Sequence, residues 1–308
     1  MKVAIIQHAP EYLDKKRSLE KALVLIREAA SGGNVLAVFG ESWLSGYPAW
    51  LDYCPGAALW NHEPTKEVFA KTHENAIVID GPEMTVLQQA ASDLGIAICI
   101  GINEKTGSGS ANGTLYNSMA IISPAGELVV HHRKLMPTFT EKLIYGVGDG
   151  NGLRSAEVAG ARVGGLICWE HWMPLTRQAM HETCELVHIA LWPTVHEMHQ
   201  VASRQYAFEG RCFVLAVGQI LRVKDIPAAF ELPEELKANP ESLLLKGGSC
   251  VVGPDGFYMR EPIFDLETTI EVELPLREAI KEKMTLDVTG HYKREDVFDF
   301  KVNKKRNQ

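Results

Sequence analysis

This chain of 308 residues has no excess of positive charge: 31 Lys and Arg stand against 39 Asp and Glu, a formal net charge of −8. Phosphate recognition needs a concentrated basic surface, so nucleic acid is not an expected partner. Of two short basic clusters, His131-His132-Arg133-Lys134 follows an apolar stretch and Lys304-Lys305-Arg306 reads as a solvated tail. The chain also lacks any apolar run near the roughly 20 residues that cross a bilayer. The longest candidate, Cys212 to Leu221, is broken by Gly218 and Gln219, and no membrane partner is expected. The N-terminal run Val3 to Ile6 is too short for a secretory leader. There is no CxxC pair. The six cysteines (Cys54, Cys99, Cys168, Cys184, Cys212 and Cys250) are scattered, as in Ile98-Cys99-Ile100, which is the usage of a reducing, cytoplasmic setting. There Asn112-Gly113-Thr114 is a turn rather than a glycosylation site.

Other signatures are missing too. His196-Glu197-Met198-His199 lacks the four-residue histidine spacing of HExxH, so no metal is expected. Gly146-Val147-Gly148-Asp149-Gly150 lacks both the GxGxxG spacing and a strand leading into it, which argues against a nucleotide cofactor. No Pro/Ser/Gly-rich linker or short repeat divides the chain, and residues 1–308 read as one domain with a short tail from about 293.

What is present is alternation of strands and helices. Apolar runs at Val3–Ile6, Val35–Phe39, Ile96–Ile100, Leu115–Ile122, Glu127–His132, Val163–Cys168, Leu186–Leu191, Phe213–Val217, Ser249–Val252 and Thr268–Leu274 predict strands. Leu19, Leu23, Ile26 and Ala30 recur at helical spacing within 15–30, and further helices are predicted near 82–94, 174–182 and 198–211. Residues 231–242 read as an acidic surface insertion. The fold class is α/β, with helices covering sheets.

Cys168 ends one of these strands, where a turn exposes a side chain that a strand would bury. Alone it fits a small core hydrophobe as well as a nucleophile. Glu41 and Lys134 also lie just beyond apolar strands, and strand ends converge at one rim of an α/β sheet. The three make a working chemical set. A carboxylate can take the thiol proton during attack, and a lysine lowers the thiol pKa and stabilises negative charge on a tetrahedral species.

The segments Phe39-Gly40-Glu41, His132-Arg133-Lys134 and Cys168-Trp169-Glu170-His171-Trp172-Met173-Pro174-Leu175 resemble, in order and context, the nitrilase superfamily of carbon–nitrogen hydrolases. The likeness runs from Val3-Ala4-Ile5-Ile6-Gln7 to Gly290-His291-Tyr292. Gly148-Asp149-Gly150, Leu191-Trp192-Pro193 and Gly247-Gly248-Ser249-Cys250 are similar to stretches of its nitrilase branch. The resemblance implies a four-layer α-β-β-α sandwich in one carbon–nitrogen hydrolase domain. It implies Cys168 as nucleophile, Glu41 as general base, Lys134 as stabiliser of the intermediate, and Glu141 as a second glutamate orienting Lys134. Without it, Glu141 reads as a surface carboxylate paired with Lys142. Trp169 (through its backbone N–H), Tyr47, Trp172, Trp192 and His196 are candidates to contact substrate, Trp192 being equally suited to core packing. The implied reaction is nitrile hydrolysis to an acid and ammonia, with water and the nitrile as partners and no cofactor. A homodimer or higher homo-oligomer through a helical face is implied; the short stretch after Tyr292 argues against long filaments. Rival readings are an amidase, a cyanide hydratase or dihydratase, and a non-enzymatic interaction protein.

Overall fold

A computed structural model describes residues 1–107, 109–226 and 230–306. The first sheet holds β1 (Lys2–Gln7), β2 (Leu36–Phe39), β3 (Ala97–Lys105), β4 (Leu115–Ile122) and β5 (Leu128–Arg133). The second holds β6 (Ala156–Val158), β7 (Ala161–Ile167), β8 (Val187–Leu191), β9 (Phe213–Val217), β10 (Ile220–Arg222), β11 (Leu243–Val252) and β12 (Tyr258–Phe264). β13 (Thr268–Glu273) returns to the first sheet, whose order is β13-β1-β2-β3-β4-β5; the second runs β10-β11-β9-β8-β7-β6, with β12 on β11.

The helices are α1 (Lys15–Ser31), the single turn α2 (Trp50–Tyr53), α3 (Glu63–Glu74), α4 (Pro82–Leu94), α5 (Pro174–His181) and α6 (Glu197–Gly210), followed by two shorter pieces. Alternation along each strand explains the layering. Val3, Ile5, Leu36, Val38, Cys99 and Met119 point to one core with Val163, Ile189, Leu215 and Val251 of the other sheet. Ala4, Ile6, Ala37, Phe39, Ile98 and Ile100 point the opposite way, onto Ala22, Leu25 and Ile26 of α1 and Met84, Leu87 and Ala91 of α4. Ala179 and Met180 of α5 and Ala202, Tyr206 and Ala207 of α6 pack on the second sheet. The order is helix, sheet, sheet, helix. Both faces of each sheet are covered, so its central strands read as unbroken apolar runs rather than alternating ones.

The predicted strands form within a few residues of their expected bounds, but β3 and β11 extend well beyond theirs. Polar residues and glycines interrupt the extensions (Gly101, Asn103 and Glu104 in β3; Lys246, Gly247 and Gly248 in β11), which masks the pattern. Helix α3 was not predicted, because Val68 and Thr72 are its buried residues and too few to set a period. Most of residues 231–242 are exposed, as expected of an acidic insertion.

The basic tail needs correction. Arg306 is half-buried, donates to the His131 carbonyl (2.8 Å) and reaches Asp149 at 3.3 Å, while Asn151 Nδ2 donates to the Lys304 carbonyl. The last two residues of the tail lie outside the described ones. Among the described residues no helix is long and apolar enough to cross a membrane.

Candidate active site

Glu41 lies two residues past β2, on a backbone that turns through Ser42 at φ +53°. The neighbouring strand allows this only because residue 101 is glycine: a Cβ there would collide with the Gly40 carbonyl and the Ser42 nitrogen. Lys134 follows β5 directly, its N–H donating to the Asn117 carbonyl (2.8 Å) and its own carbonyl accepting from Gly148 (2.9 Å). Glu141 sits in the 3-10 turn Phe139–Leu143, where its Oε2 accepts the Thr138 N–H at 2.9 Å. Cys168 leaves β7 and opens the 3-10 turn Cys168–Trp172 at φ +53°, a left-handed conformation that costs a non-glycine residue about 1–3 kcal/mol. The strain serves to point the thiol out of the strand.

These four residues converge and are all buried. Lys134 Nζ donates to Glu41 Oε1 at 2.9 Å and to Glu141 at 2.8 and 3.0 Å. Tyr47 donates to Glu141 Oε1 at 2.9 Å, and Asn117 Nδ2 donates to Glu41 Oε1 at 2.6 Å. Gln219 donates to the Glu41 carbonyl. Glu41 Oε2 is buried and has no hydrogen-bond partner among the described residues, so one oxygen of this carboxyl is held and the other is open to take a proton.

Charge follows from burial and proximity. Burial raises the Glu41 carboxyl to about 7, with the Glu141 charge adding to it and Lys134 opposing. Burial pulls Lys134 down, but the neighbouring Glu41, Cys168 and Glu141 outweigh it and hold the ammonium protonated. Burial, and then the Glu41 charge, push the Cys168 thiol well above its ordinary range; Lys134 and the Trp169 N–H pull the other way without prevailing. Lys134 does lower the thiol pKa, as expected, but burial outweighs it. Cys168 therefore rests as a neutral thiol beside a carboxyl raised to about 7.

Glu170 ties two of these segments together. It accepts from Ile167 N (2.7 Å), Leu135 N (2.8 Å) and His132 Nε2 (2.9 and 3.0 Å), clamping the residues flanking Cys168 and Lys134 to one carboxylate. Burial opposes its charge, but His132 and the two N–H groups overcome that and lower its pKa.

A carbon-nitrogen hydrolase family model matches residues 2–282. A protein named nitrilase 2 from an unknown prokaryotic organism is 38% identical over 98% of this chain and 92% of its own length. The aliphatic nitrilase of Sinorhizobium fredii is 36% identical over 98% of this chain and 95% of its own. The chain belongs to the carbon-nitrogen hydrolase family. A solved carbon-nitrogen hydrolase from Helicobacter pylori G27 superposes with a TM-score of 0.72 at 17% identity, covering 97% of this chain and 96% of that one, which shows the shared fold.

In this hydrolase the thiol faces a cleft of about 380 Å³ whose wall includes Tyr47, Asp52, Phe139, Trp169, His196 and Leu244. Of the residues suggested to contact substrate, Tyr47, Trp169 and His196 line this cleft. Trp172 and Trp192 do not line the cleft and are corrected. Trp192 is fully buried, stacked between His171 (4.7 Å) and His199 (4.3 Å), and Trp172 packs edge-on to Trp169 at 5.3 Å. Successive residues of a tight turn point in different directions, so nearness to Cys168 in sequence did not place Trp172 at the cleft. Glu141 is buried on Lys134, not a surface partner of Lys142. Sequence reasoning missed Asn117; a lone Asn inside the apolar run Leu115–Ile122 was the available signal. Asp52, Phe139 and Leu244 gave none, because they arrive from the single turn α2, the 3-10 turn Phe139–Leu143 and β11, three pieces far apart in sequence.

Proposed function

We propose that this protein is a nitrilase, converting an organic nitrile and two waters to a carboxylic acid and ammonia. The observation that carries the reading is near-full-length identity to proteins named nitrilase, joined to a buried Glu41–Lys134–Glu141 cluster at the Cys168 thiol. Glu41 takes the thiol proton as sulfur attacks the nitrile carbon and passes it to the nitrile nitrogen, giving a thioimidate and leaving Glu41 ionised again. A water, deprotonated by Glu41, adds next. Lys134 and the Trp169 backbone N–H stabilise the tetrahedral species, and Glu141 with Tyr47 orients the lysine. Ammonia leaves, a thioester remains, and a second water releases the acid and restores the thiol. A neutral resting thiol suits this sequence, since attack and proton transfer to Glu41 then occur together without a buried thiolate waiting beside two carboxylates.

The exposed apolar residues Leu175, Met198, Val201 and Phe208 on α5 and α6 support a homodimer through this helical face. The six free cysteines fit a cytoplasmic setting. The test is a panel of nitriles, each with its matched amide, scored for acid, amide and ammonia. Acid and ammonia from nitriles support the reading; turnover of amides alone makes the protein an amidase.

A further inference from the structure

Behind Cys168, away from the cleft, runs a buried polar chain that the reaction above does not use. His171 Nδ1 lies 2.7 Å from the Cys168 carbonyl, His171 Nε2 lies 3.0 Å from His188 Nε2, and His188 Nδ1 lies 2.9 Å from Glu185 Oε1. Tyr206 donates its O–H to the same Glu185 oxygen. All five residues are buried.

Donor and acceptor parity fixes the protons. A carbonyl only accepts, so His171 Nδ1 carries hydrogen. Burial, with His188 beside it, holds His171 down at about 3, so the ring is neutral and its Nε2 accepts from His188 Nε2–H. Burial likewise holds His188 far below its ordinary value, leaving Nδ1 as an acceptor. The Glu185–His188 contact then requires a proton on the carboxyl, and burial raises Glu185 to about 8. Geometry and burial agree on one shared proton.

We propose that Glu185, His188 and His171 are positioning residues, a one-proton chain that holds the Cys168 carbonyl and thereby the strained turn that aims the thiol. The proposal rests on the assignment of Cys168 as nucleophile. When the proton leaves, two acceptors face each other at Glu185–His188. A tautomer flip moves that clash to the His188–His171 contact, and a second flip strips the donor from the Cys168 carbonyl. The aim of the thiol is then lost.

The surroundings add no lysine or arginine partner to Glu185 among the described residues. From α5, His181 packs against Tyr206 at 4.6 Å with tilted rings, and neither of its ring nitrogens has a hydrogen-bond partner among the described residues. The Arg177–Glu209 pair links α5 to α6, and Cys212 precedes β9. Lys283 acts on His181 and Cys212, Glu170 acts on His188 and His171, and His199 acts on His171 from beyond Trp192.

The test compares the full chain with Glu185→Gln and Glu185→Ala across pH 6 to 10. The Gln amide donates permanently to His188 and gives its second N–H to the Tyr206 oxygen. In the unaltered protein kcat/KM for a nitrile, and the rate of Cys168 alkylation by iodoacetamide, should both break near pH 8. In Glu185→Gln that break should move up by more than one pH unit. Glu185→Ala should lose about tenfold in kcat with KM within about twofold, and Gln should recover most of it. Nitrogen-15 NMR of the unaltered protein's histidines should show His171 as the Nδ1–H tautomer, which decides the matter even if the variants fold poorly. An unmoved break in Glu185→Gln, or an Nε2–H tautomer at His171, overturns the proposal. Should no nitrile turn over while the alkylation break still moves, the positioning chain stands and the nitrilase reading falls.

Discussion

On its cleft side Cys168 faces a lysine shared by two carboxylates; on its other side it leans on two uncharged imidazoles and a carboxyl that burial holds protonated. Both sides are equally dry. The difference lies in whether a cation is present. Lys134 offsets the burial penalty of Glu41 and Glu141, so charge can be kept where a reaction needs it. Behind the turn no such cation reaches Glu185, and the groups neutralise instead. The front is built to move protons, and the back is built to stay still.

Four changes break or sharpen this contrast. Cys168→Ala should lower ammonia release by at least about 10³-fold, with circular dichroism and melting behaviour retained. Lys134→Met leaves two buried carboxylates opposed, and should cost about 3–5 kcal/mol in urea denaturation as well as turnover. Glu41 gives a pH effect of known sign. Its carboxyl is raised from 4.5 to about 7 and must be ionised to act as base, so kcat/KM should fall as pH drops below about 7. Its folded pKa lies above the unfolded one, so its contribution to stability falls as pH rises from about 4.5 to about 7. Melts of the protein against Glu41→Gln at pH 5 and 7.5 should show the variant gaining relative stability at the higher pH. Tyr47→Phe removes one hydrogen bond from Glu141 and should cost about 1 kcal/mol, roughly fivefold in kcat/KM.

Three groups of the front were legible in sequence because each sits at a strand end: Glu41 after Phe39, Lys134 after Arg133, Cys168 after Ile167; Glu141, in the 3-10 turn Phe139–Leu143, was legible only through the family resemblance. Strand ends are what an apolar run and its first polar residue disclose. The back was not legible. His171, Glu185, His188 and Tyr206 come from the Cys168–Trp172 turn, the α5–β8 connection, β8 and α6, and the packing of α6 on that turn and on β9, with Tyr206 stacked on His188, brings them together. A histidine inside an apolar strand, as in Val187-His188-Ile189, was a signal without a partner to interpret it. Trp192 was left open between cleft and core for the related reason that the sequence gives no direction to a side chain just past a strand end, and it is the core that it joins.

The account stands most directly on a covalent bond at Cys168. Intact-mass measurement of the protein quenched in acid during nitrile turnover, followed by peptide mapping, should find the nitrile's acyl or imidoyl group on the peptide carrying Cys168, and no adduct in Cys168→Ala. Turnover with an unmodified Cys168, or an adduct on another residue, would contradict it.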